Sequence, residues 1–192
     1  RHAWLLGTNS KLPRDVAVRW AGSVEADFDA RRSAHTRHYR YIIFEGRDRP
    51  ALWRDRVGWS ARVLDTDAME RAGAHLLGER DFSAFRAAAC QSPTPMRRID
   101  AVAVRRRGRW VVIDIAGNAF LHNMVRIMVG TLMVVGRGER PPEWVADLMA
   151  AGDRRQAGPT ARAEGLYFIG PVYPAACGVP EPRWSDGVLP AE

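Results

Sequence analysis

Cysteine is scarce in this 192-residue chain. Cys90 and Cys177 are the only two, they form no CxxC pair and they stand far apart. That spacing argues against a zinc ribbon or a disulfide scaffold and suits a reducing, cytoplasmic setting. Lysine is scarcer still: Lys11 is the single lysine among 29 basic residues. Neither GxGxxG nor GxxxxGK[ST] occurs, so neither common nucleotide-phosphate loop is present. The five histidines are scattered, and His122 has no second histidine at ligand spacing, which argues against a metal site. Cys90 and Ser92 lack the local elbow that marks a nucleophile. No signal peptide or spanning helix is visible. The one long apolar run, NAFLHNMVRIMVGTLMVVG at 118–136, is shorter than the roughly 20 apolar residues of a bilayer span and carries Arg126 near its middle. Carboxylate, arginine and tyrosine chemistry remain, or no chemistry at all.

What is present is positive charge and a real core. Hydrophobic residues make up 46% and include seven tryptophans, enough for one large domain or two small ones. The net charge is +7, and it is built from arginine, which forks onto phosphate and stacks on bases. A skew toward arginine also follows from genomic base composition. The charge is patchy: ARRSAHTRHYRY (30–41), GRDRPALWRDR (46–56), MRR (96–98), RRRGR (105–109) and DRR (153–155). Tyr39, Tyr41, Trp53 and Trp110 lie among these arginines, so phosphate contact and base stacking are both on offer. A solvated basic surface is the plain alternative.

Periodicity places the elements. VAVRWA (16–21) is read as a short strand, and HYRYIIF (38–44) as the strongest strand, rich in aromatic and β-branched residues. LDTDAMERAGAHLLG predicts a helix capped by Asp67 with Glu70 three residues on, with Met69, Ala72 and Leu76 on one face, stopping at Gly78. IDAVAV (99–104) and WVVIDI (110–115) flank RRRGR as a hairpin, and a buried helix follows from about residue 119. PPEWVADLMAAG starts with proline and ends with glycine, the pattern of another helix. LYFIGPVY (166–173) closes with a strand, whose Gly170 and Pro171 suit an edge. Strands and helices mix without strict alternation, so the class is α+β with a largely antiparallel sheet and helices on one face. The tail after Pro174 is read as loosely ordered.

The lone arginine of the apolar run needs an explanation. On a helix His122, Arg126 and Gly130 share one stripe. Arginine keeps its charge, so a buried Arg126 needs a carboxylate or phosphate, and otherwise it snorkels to the surface.

Five ordered blocks resemble the tRNA pseudouridine synthase A family: LLGTNSKLPRDVAVRW (5–20), DFDARRSAHTRHYRYII (27–43), DFSAFRAAACQSPTPMRRI (81–99), IAGNAFLHNMVRIMVGTLMVVG (115–136) and ARAEGLYFIGPVY (161–173). The resemblance covers nearly the whole chain. It implies two ferredoxin-like halves sharing one antiparallel sheet, here divided as 1–26 (the remainder of an N-terminal half-domain), 27–175 (a catalytic and RNA-binding half-domain) and 176–192 (the tail). It also implies conversion of uridine to pseudouridine in the tRNA anticodon stem-loop, with base flipping, no cofactor and no metal, by a cytoplasmic homodimer with no membrane attachment. By the family's motifs, Tyr39 stacks on the flipped base and helps remove its C5 proton, and Arg126 pairs with the catalytic aspartate. Leu166 floors the pocket. Phe120 and His122 join the substrate-binding group, and Arg31, Arg37 and Arg97 fall to RNA binding.

The family's catalytic aspartate belongs to a Gly-Arg-Thr-Asp-Ala-Gly stretch upstream of the equivalent of Arg1, and these 192 residues do not reproduce it. Thr66-Asp67-Ala68 is the nearest echo, but its neighbours differ and helix capping is its plainer role. Asp114 is a fallback without family support. A first residue of arginine fits a fragment or a processed product. The chain therefore resembles the C-terminal two-thirds of a synthase and is expected to be inactive alone. The alternatives are a non-catalytic RNA-binding module on the same scaffold, or a small-molecule enzyme that clamps a carboxylate with Arg126.

Overall fold

The computed structural model describes residues 2–182. It is α+β, with one six-stranded, mostly antiparallel sheet and its main helices packed on one face. In chain order come α1 (His2–Asn9), β1 (Thr36–Glu45), β2 (Gly58–Ser60), α2 (Thr66–Ala74), β3 (Gly78–Asp81), β4 (Met96–Arg107), β5 (Trp110–Gly117), α3 (Met124–Gly136), α4 (Trp144–Ala151) and β6 (Leu166–Val172).

The tyrosine-rich strand is central. β1 pairs antiparallel with β5 along one side. Its other side is shared between β6, antiparallel to Thr36–Tyr41, and β2, parallel to Ile43–Glu45. β4 and β3 extend the sheet beyond β5. Side chains alternate across a strand, so Tyr39, Tyr41 and Ile43 pack toward the helices with Ile113 and Ile115 of β5. The expected hairpin forms, with longer strands, and turns at Gly108, whose φ of 54° suits glycine.

α2 lays Met69 and Ala72, and the turn that follows it Leu76, all fully buried, into the core. Its cap differs from expectation. Asp65, not Asp67, accepts the Ala68 N–H at 2.8 Å. Helical geometry begins at Thr66, which leaves Asp67 as an exposed acid in the first turn, where it complements the helix dipole. The helix ends at Ala74, and Gly78 instead opens edge strand β3. α3 starts at Met124, five residues later than expected, because Asn118 to Asn123 form an irregular link from β5. α4 ends as expected on a glycine: Gly152 takes φ 63° and donates to the Leu148 carbonyl.

The expected strand at 16–21 does not form. A strand needs a neighbouring edge for its backbone groups, and Val18 instead exchanges two hydrogen bonds with the Asn9 amide, at 2.9 and 2.7 Å. Val16 and Trp20 are correspondingly exposed. Of the tail, residues 183–192 lie outside the described residues, and Ala175–Cys177 makes a single 3-10 turn.

Candidate active site

The β1–β6 register sets Phe168 opposite Tyr39 and Leu166 opposite Tyr41, and directly opposed residues share a sheet face. The Tyr39 ring sits 5.1 Å from Phe168, tilted by 46°, and 5.1 Å from Phe120, edge-on at 80°. Such pairs contribute about 0.5–1.5 kcal/mol each beyond area burial. Phe168 stays 55% exposed, so the aromatic group opens to solvent on one side. Burial raises the Tyr39 hydroxyl above its ordinary pKa, against the pull of the Arg37 charge. Leu166, opposite Tyr41, is half-buried against the core on the same face.

Arg126 lies in the first turn of α3 on the same face of the sheet, half-buried. Its Nε donates to the Ala161 carbonyl at 2.7 Å and its Nη1 to Asn123 Oδ1 at 3.0 Å. The 157–161 strap runs along the helix here. The Gly158 N–H donates to Thr131 Oγ1 at 3.0 Å, and a Cβ on Gly130 would stand 1.7 Å from the Pro159 carbonyl oxygen. The stripe expected from the sequence thus exists from Arg126 to Gly130, and it faces this strap.

Two neighbours report where the Arg126 charge acts. The buried Tyr41 hydroxyl donates to the Arg162 carbonyl at 2.8 Å, and burial pushes its pKa up to about 12 while Arg126 pulls it down. The Glu164 carboxyl is held below the usual range chiefly by its hydrogen bond from Arg162, and Arg126 adds to that. Among the described residues no carboxylate lies within ion-pair distance of Arg126, and its Nη2 makes no hydrogen bond.

His122 is exposed and precedes the helix, so it leaves the expected stripe. Its backbone N–H donates to Cys90 Sγ at 3.4 Å, and this is the first cause of the lowered pKa of that thiol. Arg37 gives its donors to the carbonyls of Ala34 at 2.8 Å, Asn118 at 2.6 Å and Arg31. It thereby braces the link that carries Phe120 and Asn123. Arg97 similarly ties down the 92–96 turn through Thr94, Met96 and Ser92. Arg31 keeps an exposed side chain. Asp114 sits on the reverse face and is buried. There it takes Arg40 Nε at 2.6 Å and Arg40 Nη2 at 3.0 Å, with Arg105 as a third partner.

Two site residues escaped the sequence reading. Phe168 shares a face with Leu166 by the two-residue alternation of β6, a signal that was legible. Asn123 was not legible, because its role depends on the turn into α3. Among the described residues, no group of three or more His, Cys, Asp or Glu could hold a metal ion, and no helix is long and apolar enough to cross a membrane.

The fold and site define an α+β protein with a partly exposed aromatic group and an anchored arginine on one sheet face. A family model described as tRNA pseudouridine synthase matches residues 72–174. The chain is 52% identical to tRNA pseudouridine synthase A of Pectobacterium atrosepticum, over 94% of its own length and 64% of the relative's. It is 50% identical to the Aeromonas hydrophila protein of that name, over 98% and 71%, and 48% identical to that of Dechloromonas aromatica, over 97% and 72%. The chain belongs to the tRNA pseudouridine synthase family. It spans roughly two thirds of the length of these relatives.

Proposed function

We propose that this chain acts in the isomerisation of uridine to pseudouridine in tRNA, at the anticodon stem-loop, using side chains alone. In that reaction the N1–C1′ bond of uridine breaks, the base turns over and a C5–C1′ bond forms. C5 loses its proton and N1 ends protonated. The base must leave its stack, which costs a few kcal/mol, so the enzyme needs a surface to receive it. The observation that carries the reading is Tyr39, set between Phe120 and Phe168 and open on one side. It shares its sheet face with the anchored Arg126.

In this reading Tyr39 stacks on the extruded base and assists removal of the C5 proton, with Leu166 beneath. Arg126 presents a permanent cation to a carboxylate nucleophile, which lowers that carboxylate's pKa and keeps it ionised. The nucleophile is the aspartate of the family's Gly-Arg-Thr-Asp-Ala-Gly stretch, which these 192 residues do not contain. A cytoplasmic homodimer belongs to the same reading. The exposed arginines, Arg31 and Arg107 among them, favour a second reading as a non-catalytic RNA-binding module.

Tritium release from tRNA carrying 5-tritiated uridine tests this, run on the 192-residue chain and on the chain extended upstream with a relative's aspartate-bearing segment. Release by the extended chain alone is expected. Release by the short chain would place a working carboxylate within these residues. Silence from both would leave the binding module.

A further inference from the structure

We propose that Asn123 is the positioning residue of Arg126, and that its left-handed backbone exists to aim its side chain at the guanidinium. The inference rests on the functional reading above. Among the described residues Asn123 is the only non-glycine with positive φ, at φ 58° and ψ 7°. L-residues are disfavoured there, and asparagine is among the few that visit it. Such conformations persist where the surroundings impose them, often at functional sites.

The position has a second peculiarity. Asn123 is the residue at the N-cap of α3, where asparagine ordinarily adopts an extended backbone and accepts a helix N–H. Here it makes no side-chain cap bond. Its Oδ1 accepts from Arg126 Nη1 instead, at 3.0 Å, while its carbonyl still takes the Ile127 N–H at 3.0 Å. The helix start thus gives up a cap, and the amide oxygen goes to the arginine three residues on. With Nε fixed by the Ala161 carbonyl at 2.7 Å, two anchors on a planar group define its plane. Nη2 remains uncommitted among the described residues. Asn118, braced by Arg37, ties the start of this link to β4 through the Arg98 backbone, accepting its N–H at 2.9 Å.

Asn123→Gly separates positioning from folding, because glycine keeps the left-handed turn and removes only the acceptor. The melting temperature should hold or rise. In 15N spectra of the 192-residue chain the Arg126 Nε–H signal should shift and lose order, and Asn123→Asp, which retains an acceptor, should preserve that order. In the extended chain Asn123→Gly should lower kcat for tritium release roughly 10- to 100-fold, with KM for tRNA within about twofold, as expected for a misplaced catalytic group. An unchanged Arg126 Nε–H signal in Asn123→Gly overturns the proposal, as does an unchanged kcat. If the unsubstituted extended chain releases no tritium, the functional reading falls, while the Arg126 signal still decides the positioning.

Discussion

Arg126 and Ala161 are locked together twice. The arginine Nε donates to the Ala161 carbonyl at 2.7 Å, and the Ala161 N–H returns a 3.0 Å bond to the Arg126 carbonyl. One turn further along α3, Gly130 lets the strap approach so closely that an added methyl would stand 1.7 Å from the Pro159 oxygen. Backbone cannot swing aside as a flexible side chain can, so Gly130→Ala must push the strap off the helix. We expect a loss of about 1–3 kcal/mol in urea unfolding, the usual cost of overpacking, together with a weakened grip on Arg126. A variant as stable as the parent would mean that the strap yields freely.

Asp114 is predicted to hold the fold and take no part in the chemistry. It is 3% exposed and meets Arg40, itself 6% exposed, through two hydrogen bonds. Removing one partner of a buried ion pair costs roughly 3–5 kcal/mol, because the buried arginine loses this carboxylate's charge. Asp114→Asn should therefore unfold at markedly lower urea concentration. Any loss of tritium release in the extended chain should track the unfolded fraction. A stable Asp114→Asn that no longer releases tritium would make this carboxylate a chemical participant.

Much of this arrangement could be read from residue order, and the failures share a cause. The aromatic and β-branched residues of HYRYIIF mark the strand whose alternation sets Tyr39, Tyr41 and Ile43 on the core face, and the apolar spacing of DAMERAGAHLL puts Met69, Ala72 and Leu76 on the one face that the core receives. Both signals are local and periodic. The strand expected at 16–21 failed because a strand needs a neighbour that local sequence does not supply. AFLHN is apolar enough to continue the helical pattern, so the sequence alone suggests an earlier helix start than Met124. A single left-handed residue, Asn123, resets the helix and throws His122 out of the stripe. The braces built by Arg37 and Arg97 were likewise hidden, since their carbonyl partners carry no side-chain signature.

Tyr41 should make the protein sensitive to alkali. Burial raises its hydroxyl to about 12 from an ordinary value of 10. In the window between these values the unfolded chain has released this proton and the folded chain still holds it. Stability is therefore fully present below pH 10 and falls as pH rises toward 12, by roughly 2–3 kcal/mol from this group. Tyr41→Phe removes the titration and also the 2.8 Å bond to Arg162, at a cost of about 1 kcal/mol near neutral pH. Urea unfolding at pH 8 and pH 11 should show a smaller drop for Tyr41→Phe than for the parent. Equal drops would mean that the Tyr41 hydroxyl is not what the alkali attacks.

The contrast between catalysis and simple binding falls on Arg126 and Arg31. Arg126 is half-buried with two donor atoms committed to the protein, so it has little to offer a phosphate backbone. Arg31 leaves its side chain exposed, and the contacts its residue makes to Asp29 and Arg37 are through the backbone. Arg31→Ala should weaken tRNA binding and lower the slope of log affinity against log salt by about 1, the signature of one lost phosphate contact. Arg126→Ala should leave that slope unchanged and abolish tritium release in the extended chain, because an unpaired nucleophilic carboxylate loses the cation that keeps it ionised. Arg126→Lys should restore little, since a lysine ammonium does not reproduce a planar group anchored at two nitrogens. A salt slope that falls with Arg126→Ala, alongside undisturbed tritium release, would return Arg126 to the binding surface and leave the aromatic group around Tyr39 without its catalytic partner.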